Sequence, residues 1–145
     1  MPTVRPFDRS MIEQSLRSQQ LKFLRDSDGD FRVEFGYDEE TDCEVTFSLM
    51  ATGPREIVYC ILVVSNKRIP SYEWDRAIKI CNQWNAEKRW PKAYLHVNGA
   101  IGSIILEHQV DFEAGVHQEL LDDFTRSGII AGIEFWKWAH QEKAL

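Results

Sequence analysis

The first half of the chain carries three segments whose apolar pattern is that of β-strands. Apolar side chains occupy alternate positions in residues 31–37 and again in residues 43–49, which is the two-residue period of a strand with one buried face. Residues 57–64 are apolar on both faces, with no polar side chain to mark a solvated side. The pattern therefore predicts three neighbouring strands, the third of them covered on both faces.

Elsewhere the apolar period changes to three and four residues, which is typical of helices. The predicted helices span about residues 8–19, 71–88 and 116–142. Between the second and third helices, residues 93–97 and 102–112 predict two more strands that turn at Asn98 and Gly99. Short connections favour antiparallel pairing. This element order (α-β-β-β-α-β-β-α) predicts an α+β fold with an antiparallel sheet of about five strands and three helices, packed mainly on one face.

Two glycines interrupt the last predicted helix. Gly128 and Gly132 lie four residues apart, and glycine inside a helix costs about 1 kcal/mol relative to alanine. The sequence therefore predicts either close packing of this helix against another backbone or a break in the helix at Ser127 and Gly128.

Length and composition are those of one globular domain spanning residues 1–145. Of the 145 residues, 43% are hydrophobic, which is enough for a core at this length.

The longest apolar run, residues 57–64, is far shorter than the roughly 20 residues of a membrane-spanning helix. Residues 1–6 lack the apolar stretch of a signal peptide. We expect a cytoplasmic protein with no membrane partner.

The charge balance argues against a nucleic-acid partner. The formal net charge is −6 at pH 7, whereas nucleic-acid affinity depends on basic groups that contact phosphates. Lys88, Arg89 and Lys92 surround Trp90, but basic residues at the end of a helix also compensate its dipole. We interpret this cluster as a helix end and expect no nucleic-acid partner.

An acidic segment near residue 28 superficially resembles a calcium loop. Asp26, Asp28 and Asp30 alternate, but an EF-hand needs glycine at its sixth position and glutamate at its twelfth. Counted from Asp26, those positions hold Phe31 and Tyr37. We interpret the segment as a turn between strands.

The histidines are candidate metal ligands, but their positions do not suit that role. They are His96, His108, His117 and His140. In the predicted hairpin the residue opposite His96 falls near residues 101–104, which leaves His108 roughly 13 Å away at about 3.3 Å per residue. The sequence has no C-x-x-C or H-x-x-x-H spacing. We expect neither a bound metal nor an organic cofactor.

The three cysteines give no sign of a catalytic nucleophile. Cys43 and Cys81 lie on predicted core faces and Cys60 lies in the all-apolar strand, where cysteine commonly packs as a small hydrophobic residue. The common nucleophile-elbow and nucleotide-binding motifs are absent from the sequence. We expect no catalytic residue and no enzymatic activity; the alternative is an enzyme whose catalytic residues are scattered along the chain.

The third strand offers the candidate partner-binding surface. Apolar and polar side chains should alternate along a strand with one solvated face, yet four side chains on the expected polar face of this strand are apolar. Separately, two tryptophans elsewhere in the chain do not fit the apolar stripes of the predicted helices and are candidates for the surface. The candidate partner-binding residues are Val58, Cys60, Leu62, Val64, Trp90 and Trp136. Burying each apolar side chain stabilises by about 1.5–3 kcal/mol. Either the final helix covers this face, or a second copy does in a homodimer held through this face or through the second helix.

Three local stretches resemble the bacterial YbjN family, whose members are labelled sensory transduction regulators. They are CNQWN at residues 81–85, KAYL at residues 92–95 and IILE at residues 104–107. The resemblance covers nearly the whole chain and implies the fold of type III secretion chaperones. It also implies a non-enzymatic, often dimeric regulatory or chaperone-like protein that binds a protein or peptide, and it favours the homodimer. The alternative function is a small-ligand sensor with a pocket between sheet and helices.

Overall fold

Residues 3–145, described by a computed structural model, form three helices and seven strands. The helices are α1 (Arg9–Ser18), α2 (Trp74–Lys88) and α3 (Gln118–Gln141). The strands are β1 (Leu24–Arg25), β2 (Phe31–Asp38), β3 (Cys43–Thr52), β4 (Val58–Ser65), β5 (Ile69–Pro70), β6 (Lys92–Asn98) and β7 (Ile101–Asp111). Short 3₁₀ turns at Pro54–Glu56 and Ser71–Glu73 precede β4 and α2.

All seven strands pair antiparallel in one sheet. Its order is β1-β2-β3-β4-β7-β6, and β5 pairs with the start of β7 on the same edge as β4. β4 is central, because Leu62 stands opposite Ser48 of β3 on one side and Glu107 of β7 on the other. The predicted α+β class and the five predicted strands are confirmed. The two additional strands, β1 and β5, have two residues each, too few to show an apolar period.

The hairpin of β6 and β7 has the predicted turn. Asn98 pairs with Ile101, and Gly99 between them has a φ of +65°, a left-handed conformation that glycine adopts without strain. His96 stands opposite Ser103, within the predicted range of residues 101–104. His108 therefore lies five positions further along β7, so the two histidines do not meet.

The last helix is continuous through both of its glycines and packs closely on the sheet. A Cβ atom built on Gly128 would lie 2.7 Å from Ile61, and one built on Gly132 would lie 2.6 Å from Phe47. Of the two predicted explanations for these glycines, close packing is confirmed and a helix break is wrong. The contacted groups are side chains of β3 and β4, whereas the prediction expected another backbone.

The other two helices lie on the same side of the sheet as α3, which we call the helix face. Gln118 at the start of α3 donates a hydrogen bond from Nε2 to the Met11 carbonyl of α1 at 2.9 Å. On the other flank, the Trp84 ring of α2 meets the Phe135 ring of α3 edge-on, with centroids 5.1 Å apart. The opposite side of the sheet, which no helix covers, is the open face.

Candidate functional site

An apolar stripe runs along β4 on the open face. It consists of Val58, Cys60, Leu62 and Val64. The intervening residues, Tyr59, Ile61 and Val63, point to the helix face and are fully buried, because successive side chains of a strand alternate between faces. Cys60 is 6% exposed yet lies outside the main core cluster. The other three stripe residues are half-buried, so neighbouring side chains shield them and no helix does.

The predicted position of these four residues on the face away from the helices is confirmed, and α3 does not cover them. The helix contacts of β4 go instead through its other face. Ile61 meets α3 at Gly128, and the Tyr59 hydroxyl lies 2.7 Å from the Thr125 hydroxyl of α3. Cover of the stripe by the final helix, one of the two predicted possibilities, is therefore wrong.

Charged side chains border the stripe on both sides. The register places one row across five strands at the level of Leu62: Arg32, Ser48, Leu62, Glu107 and Lys92. Arg32 of β2 pairs with Glu34 at 3.1 Å, and Lys92 of β6 pairs with Glu107 of β7 at 3.1 Å. The open face thus has an apolar centre and an ion pair at each border.

Glu107 is the best-anchored charge of this face. The Tyr94 hydroxyl donates a hydrogen bond to its Oε1 at 2.5 Å. This bond and the Lys92 ammonium hold the pKa of Glu107 below its usual range. Burial, followed by the same carboxylate, raises the pKa of Tyr94 to about 12. Sequence reasoning missed this network, because Tyr94 and Glu107 are brought together only by the register of the β6–β7 hairpin.

The two predicted tryptophans do not join the stripe. Trp136 is fully buried, so its predicted surface position is wrong: it packs inside the core beside Phe135, with ring centroids 5.1 Å apart. Trp90 is 53% exposed, as predicted for a surface residue. Its ring lies 6.4 Å from that of His108, which stacks on Phe124 of α3, so Trp90 lies toward the helix face.

The candidate metal ligands do not converge. Within residues 3–145, no group of three or more His, Cys, Asp or Glu side chains is placed to hold a metal ion. In the acidic segment, Asp26 Oδ1 accepts hydrogen bonds from the main-chain N–H groups of Asp28 and Asp30 at 2.9 and 3.0 Å. This carboxylate therefore closes a turn, as the sequence indicated.

The cysteines are three separate, buried thiols. None forms a disulfide. Burial raises the pKa of Cys60 and of Cys81 to about 11, and it also raises the pKa of Cys43. Because the thiolate is the nucleophile, these thiols are protonated and unreactive near neutral pH.

No helix formed by residues 3–145 has the length and apolarity to cross a membrane.

Comparisons with known proteins agree with this architecture. The chain resembles the solved structure of YbjN from E. coli, which is described as "a putative transcription regulator", with 11% sequence identity and a TM-score of 0.74. That likeness covers 97% of this chain and 96% of the other, and at this identity it shows a shared fold. An uncharacterized protein from Methanothermobacter thermautotrophicus, 12% identical over 93% of this chain and 97% of its own, has a TM-score of only 0.48. No curated protein matches the chain.

A family model also matches most of the chain. The model is that of YbjN, described as "Putative bacterial sensory transduction regulator", and it matches residues 8–141. This range begins beside the first residue of α1 and ends at the last residue of α3, so it contains all three helices and all seven strands. The chain belongs to the YbjN family.

Proposed function

We propose that this protein is a non-catalytic regulator that acts by binding protein, and that its open face joins two copies in a homodimer. The apolar stripe of β4 is the observation that carries this proposal. Leu62 and its neighbours in the stripe contact no helix, and the exposed parts of Val58, Leu62 and Val64 would gain a share of the roughly 1.5–3 kcal/mol that full burial of an exposed apolar side chain contributes. A second copy offers the same stripe, and pairing of one surface about a two-fold axis is the commonest way to cover it.

The borders of the open face suit such pairing. Rotation about an axis parallel to β4 places the stripe of one copy on the stripe of the other. It also places the β2 border against the border formed by β6 and β7. Each border carries an ion pair, Arg32 with Glu34 and Lys92 with Glu107. Asp111 of β7, opposite Val58, adds a further exposed acid at one end of the second border. Each border therefore offers both an acid and a base to its counterpart, and the apolar centre with a polar rim is typical of protein interfaces.

The chemistry of the described residues also favours binding over catalysis. A binding regulator needs no reactive side chain. The thiols of Cys60 and Cys81, with pKa values raised to about 11, hold their protons at neutral pH. The family description as a regulator supports the same function.

Light scattering of the purified chain tests the homodimer. We expect the wild-type protein at micromolar concentration to have twice the chain mass of 16.9 kDa. Leu62→Glu should give a monomer, because it buries a charge against the same charge of the second copy. The control is Ile130→Glu, which changes an apolar side chain that is 51% exposed on α3 and should leave the mass unchanged. A wild-type monomer, or a Leu62→Glu dimer, contradicts the proposal.

A cavity between sheet and helix supports the alternative, a small-ligand sensor. It has a volume of about 270 Å³ and lies between β2, β3 and α3, where Phe35, Cys43, Ile133 and Lys137 line it. That volume lies just below the range of about 300–1,000 Å³ for ligand sites, so we place this function second. A metabolite that raises the melting temperature of wild type but not of Ile133→Trp, which fills the cavity, would favour the sensor.

A further inference from the structure

The outer edge of β6 has main-chain groups that no neighbouring strand uses. Among residues 3–145, β6 pairs only with β7, and residues 92, 94, 96 and 98 face that partner across the two-residue turn. Ala93, Leu95 and Val97 therefore direct their N–H and C=O groups outward. At Ala93 this orientation is directly visible, because the Asn85 side chain accepts from its N–H at 2.8 Å and donates to its C=O at 3.0 Å.

Only the first of these three residues has its outward groups paired. Within residues 3–145 no hydrogen bond is made by the outward N–H or C=O of Leu95 or Val97. The free edge thus offers two donors and two acceptors in a line. The Asn85 side chain is itself an amide, the same chemical group as a peptide bond, so it shows what kind of group this edge accepts.

An apolar groove lies beside the free edge. It has a volume of about 500 Å³ between α2 and β6, and its apolar lining includes Trp74, Ile78, Leu95 and Val97. Ile78 of α2 is 52% exposed, and Val97 of β6 is 42% exposed. The helix therefore presents an apolar side chain to the groove and has no core partner for it.

We infer that this groove binds an extended polypeptide segment, which pairs with β6 as an added strand and packs alternate apolar side chains against α2. Only an extended main chain supplies donors and acceptors with the spacing of the free edge, since the main-chain groups of a helix are used internally. Successive side chains of the added strand alternate between faces. Those on the helix face meet Ile78, and those on the open face meet solvent beside His96.

The negative charge of Asp75 favours a basic residue in the bound segment. Asp75 lines the groove at the end of α2 near Val97, is exposed and forms no ion pair with any residue in the range 3–145. A lysine or arginine at the end of the segment nearest Asp75 is therefore favoured. The chemistry of the partner is an extended segment, apolar at every second position, with a basic residue at one end.

A short segment suits this edge better than a second folded copy does. From Leu95 to Val97 the free edge is only about 7 Å long, at about 3.4 Å per residue. A stable contact between two folded chains buries about 800 Å² on each partner, which so short a seam does not provide. A peptide of four or five residues fills the groove and uses every free group.

This inference rests on the proposed function, since both hold that the protein works by binding, but it uses a different surface from the open face. The test selects binders from a library of random heptapeptides displayed on phage, with the full-length wild-type chain as target. We expect enriched sequences that are apolar at alternate positions and carry a basic residue at one end. The absence of any enriched alternating sequence overturns the inference.

Variants then locate the binding of a selected, fluorescein-labelled peptide. We expect Ile78→Asp to weaken binding at least tenfold, and Ile130→Asp, an equally exposed isoleucine on α3, to leave it unchanged. Methylation of the peptide nitrogens that face β6 should also abolish binding, because each loses a donor. Equal binding by Ile78→Asp, or by the methylated peptide, contradicts the inference.

One further variant separates this inference from the homodimer. Leu62→Glu on the open face should bind the selected peptide like wild type, whatever its mass by light scattering. If wild type is a monomer and still binds the peptide at β6, the homodimer fails and the groove stands. If wild type is a dimer and no alternating peptide is selected, the groove fails and the homodimer stands.

Discussion

Gly132 of α3 lies directly against the ring of Phe47 in β3. A Cβ atom on this glycine would stand 2.6 and 2.9 Å from two ring carbons and 3.2 Å from Val63. The two distances to the ring are shorter than carbon atoms tolerate, so the glycine sets how closely the helix approaches the sheet. The same relation holds one turn earlier, between Gly128 and Ile61.

Gly132→Ala should therefore destabilise the fold. Alanine gains about 1 kcal/mol in helix propensity, but overpacking of a buried contact costs about 1–3 kcal/mol, and Phe47 is fully buried with little freedom to move. The cost should therefore fall in the upper half of that range, about 2–3 kcal/mol, which leaves a net loss of about 1–2 kcal/mol in urea unfolding. Gly36→Ala is the control, because nothing lies within 4 Å of the added Cβ. A Gly132→Ala protein as stable as wild type contradicts this packing.

Asn85 connects the end of α2 to the edge of β6 through two hydrogen bonds, and Asn85→Ala should lower the free energy of unfolding. The variant loses both hydrogen bonds to Ala93 and leaves a main-chain N–H and C=O without partners. We expect a loss of about 1–3 kcal/mol, from two hydrogen bonds that contribute about 0.5–1.5 kcal/mol each. Asn82→Ala, an exposed asparagine one turn earlier, should change the unfolding free energy by less than about 0.5 kcal/mol. Equal effects of the two variants would show that Asn85 has no such role.

His108 should make the fold less stable in mild acid. Its ring stacks on Phe124 with centroids 4.2 Å apart, and burial lowers its pKa below the usual value of 6.5. The unfolded chain therefore binds a proton more readily than the folded one. The contribution to stability is complete above about pH 6.5 and decreases as the pH falls toward the folded-state pKa.

The measurement is urea unfolding at pH 7.5 and pH 5.5, with the pKa of each histidine followed by NMR. The His108→Gln variant should lose less stability between these two pH values than wild type does. His96→Gln, on the exposed side of the same hairpin, should behave like wild type. An NMR pKa for His108 at or above 6.5 would remove the basis of this prediction.

The sequence predicted the fold well where one apolar period dominates. The alternation in β2 and β3 marked both their extent and their buried faces, and the both-sided apolar pattern of β4 correctly placed Val58 and Leu62 opposite the helices. The two-residue strands β1 and β5 have no period to detect. Their pairing, such as Ile69 with Gly102, depends on the completed sheet.

The helices were less predictable in detail because their surroundings set which side is buried. A single apolar stripe along the last helix left Trp136 outside the core. α3, however, packs on the sheet and on both other helices, so a wider arc is covered and Trp136 is fully buried. No sequence pattern indicated the groove beside β6. The hydrogen bonds between Asn85 and Ala93 join the end of a helix to a strand on the two sides of Pro91, and the sequence does not specify the geometry of that connection.

The cysteines provide the most direct test of whether the protein is non-catalytic. With pKa values near 11, the thiols of Cys60 and Cys81 are ionised to about one part in a thousand at pH 8. We expect iodoacetamide to leave the native chain unmodified under conditions in which the urea-unfolded chain takes up three groups, counted by intact mass. The three cysteines are buried to a similar degree, so each serves as a control for the others. Rapid modification of Cys60 alone, in the native state, would reveal an activated thiol and favour the enzyme alternative over a binding protein.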